Sequence, residues 1–170
     1  MREEGGFSAF CEREYPIIVG ALGLWCGDRS LAEEVASEAF ARAYRDWGRV
    51  RDLDAPGAWV RRVAINLATS TFRRRRAERH AHRRLAVEAV PQPDEHDGAQ
   101  SVAVREALQL LRQDHRLVLV LRYFLDLSID EVAQTMGRSR TGVTTLTQRA
   151  SAALREVLGD EIVPEVRHER

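Results

Sequence analysis

The sequence predicts an all-α protein: two small helical domains joined by a flexible linker, with a helix-turn-helix in the C-terminal domain. Apolar residues recur at three- and four-residue steps through most of the 170 residues, the period of a helix that buries one side. A stretch rich in proline and acidic residues interrupts this pattern near the middle. No segment alternates apolar and polar residues for long enough to build a sheet. We therefore assign residues 1–85 and 102–170 to the domains and 86–101 to the acidic linker.

The first domain begins with two predicted helices. The first has an apolar stripe from Phe7 to Trp25, and Pro16 predicts a kink or a break within it. Gly27 and Asp28 end this helix and begin the next, with Asp28 as the N-cap. The second helix has the clearest amphipathic pattern in the chain, because an unbroken apolar stripe runs from Ala32 to Trp47 opposite a charged face.

A third long helix completes the first domain after a predicted loop from Gly48 to Asp54. Pro56 suits the first turn of this helix, and apolar residues from Trp59 to Ala68 give it a buried side. Its C-terminal end runs into four consecutive arginines, residues 73–76.

Positive charge is concentrated in this part of the chain. All 26 basic residues are arginine, and the chain has no net charge. Residues 61–84 nevertheless hold nine arginines and one acid, Glu78, for a local net charge of +8. Such a segment indicates a polyanion partner, because neutralising phosphates releases condensed counterions. A solvated, frayed helix end is the alternative, although four arginines exceed what stabilising a helix C-terminus requires.

The most specific local pattern lies in the second domain, at residues 128–139. Ser128 and Glu131 form a capping box that starts a short helix. Gly137 lies where a tight turn between helices needs a positive φ, and Ser139 caps the next helix.

The spacing of small and apolar residues here predicts a helix-turn-helix. Ala133 lets the two helices cross closely, and Val143 seats the second against the first. The N-terminal half of the second helix would enter the major groove, where Arg can bind guanine, Gln can bind adenine and Thr can contact a thymine methyl. An ordinary α-hairpin with idle polar residues is the alternative. The predicted DNA-contacting residues are Arg138, Ser139, Arg140, Thr141, Thr144, Thr145, Gln148 and Arg149.

Other classes of protein find little support in the sequence. No apolar run approaches the ~20 residues of a membrane span, and the N-terminus lacks a secretory pattern. Two cysteines do not make a disulfide-stapled scaffold, and neither they nor the five histidines have metal-ligand spacing. No catalytic constellation or phosphate-binding loop is present. We therefore expect a cytoplasmic protein that is not an enzyme and has no cofactor and no metal.

Three blocks of the chain resemble one known family, the extracytoplasmic-function (ECF) sigma factors of bacterial transcription initiation. Residues 27–44 are similar to the helix that docks on the β′ clamp helices of RNA polymerase, and residues 58–68 look like the −10 promoter helix. Residues 118–124, with the helix-turn-helix, resemble the −35 domain. The resemblance spans about Phe7 to Leu158 and keeps the family's order and separations.

This resemblance implies partners and roles for individual residues. The partners are core RNA polymerase, through its β′ clamp helices and β flap, promoter DNA, and an anti-sigma factor as a candidate inhibitor. The implied polymerase-binding residues are Glu33, Glu34, Glu38, Arg42 and Arg45. The implied −10 contacts are Arg61, Arg62, Asn66, Ser70, Arg73, Arg74, Arg75 and Arg76.

The sequence departs from the family's usual residues at three positions in the docking and recognition helices, and it leaves other functions open. Ser37 stands where the docking helix usually has Gln, and Thr144 and Leu146 stand where the recognition helix usually has Lys or Arg.

The leading hypothesis is a sigma factor that directs promoter-specific initiation and helps to melt the promoter. A helix-turn-helix regulator that acts without polymerase is the alternative, and a module that binds only proteins is a third.

Overall fold

The computed structural model describes residues 2–81 and 99–159, and all regular structure in these two ranges is helical. The chain divides into two compact units, Met1–Gln92 and Pro93–Arg170. The predicted all-α class with two small helical domains is therefore confirmed. Most of the predicted linker lies outside the described residues, and the helix that follows it begins at Ala99, three residues before the predicted start of the second domain.

Within residues 2–81, unit 1 contains three long helices and one short one: α1 (Arg2–Cys26), α2 (Arg29–Arg45), α3 (Trp47–Val50) and α4 (Pro56–Ala81). Gly27 adopts φ 70°, and the Asp28 side chain accepts a hydrogen bond from the Leu31 amide at 2.9 Å, so the predicted glycine turn and N-cap are both present. Both α1 and α4 pack on α2.

Two local predictions for unit 1 need correction. Of the kink or break predicted at Pro16, the break is absent, because α1 runs through this residue as one helix. Because Glu12 and Pro16 are exposed, water can bond the carbonyl that proline leaves without a helical donor, while Phe10 and Ile18 stay buried on either side. The predicted 48–54 loop begins inside a helix, since α3 extends to Val50, whose buried side chain anchors this turn in the core.

The described part of unit 2, residues 99–159, contains four α-helices: α5 (Ala99–Leu110), α6 (Gln113–Leu119), α7 (Ile129–Met136) and α8 (Arg140–Leu158). The end of α6 widens into a π-helical turn, Val120–Phe124. There the Leu125 amide donates to the Val120 carbonyl at 3.0 Å, a five-residue step that no periodic pattern in the sequence indicated. The core of this unit is formed by Leu117, Val118, Leu121, Val132, Val143 and Ala150.

The helix-turn-helix has the predicted local geometry. Ser128 accepts a hydrogen bond from the Glu131 amide, and the Glu131 carboxylate accepts one in return from the Ser128 amide. Gly137 adopts φ 63° and ψ 38°, and Ser139 accepts from the Gly142 amide at 3.1 Å. Val143 is fully buried, and α7 and α8 pack against each other on either side of the turn.

Replacing Gly137 with alanine tests the turn. A side chain in the left-handed region is strained, so Gly137→Ala should lower the stability of unit 2 by about 1 kcal/mol. All three tryptophans, Trp25, Trp47 and Trp59, belong to unit 1. The variant should therefore shift part of the urea transition followed by circular dichroism and leave the tryptophan fluorescence transition in place.

Gly23→Ala is the matched control for this variant. Gly23 lies inside α1 with open space where an alanine methyl group would lie and no positive φ, so alanine there should leave unit 1 unchanged or slightly more stable. Equal shifts of both signals after Gly137→Ala would contradict the assignment of the strain to this turn.

Candidate nucleic-acid and protein interfaces

One side of α4 carries a line of exposed polar residues. Arg62, Asn66, Ser70 and Arg74 follow one another at four-residue steps, and all four are exposed. Because 3.6 residues make one turn, residues at this spacing share one side of a helix. Four of the eight predicted −10 residues thus lie on one open surface. Arg73, Arg75 and Arg76 also belong to α4, but their side chains lie outside the described part of the structure.

Arg61 occupies a different side of the same helix. Its guanidinium Nη1 lies 3.1 Å from Glu14 Oε2, and the two side chains are only 23% and 10% exposed. Glu14 also accepts a hydrogen bond from Arg13 at 3.1 Å, so its carboxylate has two cationic partners. Arg61 therefore joins α4 to α1, and its charge is offset within unit 1.

Gly57 makes this buried ion pair possible. A methyl group at this position would lie 2.8 Å from Glu14 Oε2, closer than two such atoms can approach. Glycine in the first turn of α4 therefore leaves the volume that the Glu14 carboxylate fills. The sequence analysis missed Glu14, although it lies at four-residue spacing between Phe10 and Ile18 on the buried side of α1. An acid in register with an apolar stripe is a signal of a buried pair.

The outer side of α2 carries the predicted polymerase-binding residues. Glu34, Glu38 and Arg45 are exposed, whereas Glu33 and Arg42 are half-buried. Two ion pairs at four-residue spacing cross this surface, Arg29 to Glu33 at 2.9 Å and Glu38 to Arg42 at 2.7 Å. Such pairs add only a few tenths of a kcal/mol each to a helix. Their charges therefore stay available to a partner.

In unit 2, α8 presents the predicted recognition surface. Thr141, Thr145, Gln148 and Arg149 are exposed, and their side chains have no hydrogen bond or ion pair within the described ranges. The Thr144 hydroxyl donates to the Arg140 carbonyl at 3.0 Å, which leaves its oxygen able to accept. Ser139 is occupied as the N-cap.

The two arginines nearest the turn are each paired with an acid. Arg138 Nη2 lies 2.6 Å from Asp114 Oδ2 in the first turn of α6. Arg140, the first residue of α8, binds the carboxylate of Asp130 in the first turn of α7. The sequence analysis missed both acids as partners, because pairs between different helices have no fixed sequence spacing.

The described residues give no support for a metal site or a membrane-spanning helix. Within residues 2–81 and 99–159, no group of three metal-ligating side chains is placed to hold a metal ion, and no helix is long and apolar enough to cross a membrane. Cys11 and Cys26 are not joined by a disulfide, and the Cys26 thiol donates to the Asp28 carbonyl at 3.2 Å. Burial raises the pKa of Cys11.

The fold and these surfaces define a helix-turn-helix DNA-binding protein with a second, arginine-bearing helical unit. Comparison with known families is more specific. The profile of Sigma-70 region 2 matches residues 10–78, and that of Sigma-70, region 4 matches residues 101–154. The first match contains α2 and all but the last three residues of α4, and the second contains α7 and all but the last four residues of α8.

Similar proteins agree with these two matches. The RNA polymerase sigma-E factor of Streptomyces coelicolor is 32% identical over 131 residues, which cover 75% of this chain and 71% of that protein. The RNA polymerase sigma factor CarQ of Myxococcus xanthus is 28% identical over 159 residues, covering 92% and 91%. The ECF RNA polymerase sigma factor BldN of Streptomyces coelicolor is 31% identical over 144 residues, covering 79% of this chain and 53% of that protein.

A solved structure supports the fold. The sigma factor RpoE in a complex with the anti-sigma factor NepR from Bartonella quintana aligns with a TM-score of 0.78 at 18% identity, over 92% of this chain and 98% of that one.

The chain belongs to the sigma-70 family, and it is an ECF sigma factor with regions 2 and 4. The predicted family and function are confirmed: the protein directs RNA polymerase to promoters, and the alternative of a regulator acting without polymerase is not favoured.

Replacing Glu14 tests the pair inside unit 1. Glu14→Gln removes the charge opposite the half-buried Arg61, so we expect unit 1 to lose about 1–3 kcal/mol of stability. The measurement is urea unfolding followed by tryptophan fluorescence. Glu12→Gln is the matched control, because Glu12 is exposed on the same helix and should change stability by less than about 0.5 kcal/mol. Equal effects of the two substitutions would show that the Glu14 pair does not stabilise unit 1.

Proposed function

We propose that this sigma factor docks on the β′ clamp helices of core polymerase through the exposed side of α2. The proposed contacts are Glu33, Glu34, Glu38, Arg42 and Arg45. Support comes from their exposure on α2 within the region 2 match: Glu34, Glu38 and Arg45 are exposed, and Glu33 and Arg42 are half-buried at its flanks. Charges that are only weakly paired can exchange their partners for those of another protein and steer its approach.

The −10 element would meet the line of exposed residues on α4. Arg62 and Arg74 would bind phosphates together with Arg73, Arg75 and Arg76, and Asn66 and Ser70 would contact bases or sugars. Opening a promoter costs a few kcal/mol per unstacked base, and a pocket for an extruded base offsets part of this cost. The continuous exposure of the Arg62–Arg74 line is the observation that carries this assignment. Arg61 would contribute by holding α4 in place against α1, since its guanidinium already binds Glu14.

The −35 element would meet the N-terminal half of α8. Gln148 and Arg140 have the chemistry to bind adenine and guanine edges, and Thr141, Thr144 and Thr145 can contact thymine methyl groups. Arg138, Ser139 and Arg149 would hold the flanking phosphates, and region 4 would also bind the β flap. We propose that the protein acts in the cytoplasm, as a transcription factor rather than an enzyme, with an anti-sigma factor as a further partner. The sigma factor with the same fold was solved in a complex of that kind.

Reconstituted transcription tests the docking surface. Purified protein added to core polymerase should give promoter-specific transcripts on genomic DNA from its own source. Arg45→Glu reverses one exposed charge on α2 and should weaken binding to core about tenfold, measured by fluorescence anisotropy of the labelled sigma factor. Arg62→Glu is the control, because it reverses an exposed charge on α4 that the proposal assigns to DNA and not to core. No transcript above core alone, or equal effects of both reversals on binding to core, would count against the proposal.

Salt dependence separates phosphate contacts from base contacts. Arg62→Ala should weaken holoenzyme binding to all promoter sequences alike and lower the slope of log K against log salt by about 1. Gln148→Ala should instead lose about 1–3 kcal/mol of discrimination at one base pair and leave the slope nearly unchanged. Filter binding of matched and single-substitution duplexes at several salt concentrations distinguishes them. Identical behaviour of the two variants would contradict the division.

A further inference from the structure

Two of the arginines proposed to contact the −35 element are held by acids of the same unit. Arg138 lies 2.6 Å from Asp114, and Arg140 binds Asp130. Both acids lie in the first turns of other helices, α6 and α7, where the helix dipole favours a negative charge. The dipole explains why an acid is tolerated there, but it does not explain why each carboxylate lies within hydrogen-bond distance of a recognition arginine.

The pairs are exposed enough to be exchanged for phosphate. The side chains of Arg138 and Asp114 are 43% and 57% exposed, and those of Arg140 and Asp130 are 69% and 54% exposed. Ion pairs between side chains this exposed to water are weak. The two carboxylates can therefore compete with a phosphate or a guanine edge for the arginines, but they do not prevent the arginines from binding DNA.

The pairs reduce the positive charge at the start of α8. Arg138, Arg140 and Arg149 are the arginines predicted to contact DNA there, and two of these three are paired with an acid of the unit. Each pair offsets one positive charge that would otherwise attract DNA. Arg112, at the N-cap of α6, is a further exposed cation two residues from Asp114.

We propose that Asp114 and Asp130 compete with DNA for Arg138 and Arg140, and so set the affinity of the helix-turn-helix for promoter DNA. They are positioning residues, because they act through the arginines and do not themselves bind DNA. Duplex binding must break both pairs before the arginines contact phosphate or base. The proposal rests on the assignment of α8 to the −35 element. It adds that two acids of the same unit compete with this DNA for the arginines.

Neutralising the acids should strengthen binding. In holoenzyme assembled from the full chain and core polymerase, Asp130→Asn and Asp114→Asn should each bind a labelled promoter duplex about two- to fivefold more tightly. Asparagine keeps the shape of the side chain and suits the first turn of a helix. Circular dichroism of each variant should remain that of the original protein, so a gain in affinity does not arise from a change of fold.

Glu156→Gln is the matched control for charge. It removes one exposed negative charge from α8, sixteen residues beyond Arg140 along the helix, or about 24 Å away. That separation exceeds the screening length of about 8 Å at physiological salt, so affinity should not change. A gain equal to that of Asp130→Asn would overturn the proposal, because net charge alone would then explain both.

A double-mutant cycle gives the decisive result. If Asp130 acts through Arg140, then Asp130→Asn should produce no gain in a chain that already carries Arg140→Ala. A gain that persists in this background, or no gain from Asp130→Asn or Asp114→Asn in the original chain, would overturn the inference. Unchanged affinity after Arg140→Ala alone would instead contradict the assignment of α8 to DNA, so the two failures are distinguishable.

Discussion

The close approach of α1 and α4 to α2 is the constraint on which unit 1 depends. Ala32, Ala36, Ala39 and Ala43 recur at three- and four-residue steps along α2 and are at most 1% exposed. Small side chains let neighbouring helices pack backbone to backbone, so a unit of three long helices can form a dense core. The same packing turns the charged side of α2 and the Arg62–Arg74 line of α4 outward. Both proposed interfaces are thus the outer sides of helices whose inner sides form one core.

Pairing within the protein divides its arginines into different roles. In the sequence, residues 61–84 hold nine arginines and read as one positive segment. In the structure, the charge of Arg61 is neutralised by its ion pair with Glu14. Arg62, the next residue, points to another side of α4 and is exposed. An Arg61 contact with phosphate would require breaking a largely buried pair, which costs more than the side-chain ordering of an exposed arginine. The net charge of a sequence segment therefore overestimates the number of arginines that are free to bind DNA phosphates.

Local features of the fold were predictable and features between helices were not. The Asp28 cap, the capping box and the left-handed Gly137 depend on residues within a few positions of one another, so spacing alone indicates them. The pairs Arg61–Glu14 and Arg140–Asp130 depend on how helices pack, which no single period encodes. The unbroken α1 is a tertiary effect of the same kind, since Phe10 and Ile18 stay buried on either side of Pro16. The π-helical turn at Val120–Phe124 likewise follows no period of the sequence.

The structure explains two residues of α8 that differ from those usual in the family. Leu146, at a position where the family usually has a cation, is half-buried, so it contributes to packing within unit 2. The Thr144 hydroxyl bonds its own helix backbone. On the proposed assignment of α8 to the −35 element, the two arginine–acid pairs would leave this helix alone with a weak electrostatic attraction for DNA. Linking it to the proposed −10 contacts of unit 1 would compensate, because a linked second contact forms at a high effective concentration. On this proposal, promoters with both elements would be favoured over promoters with one.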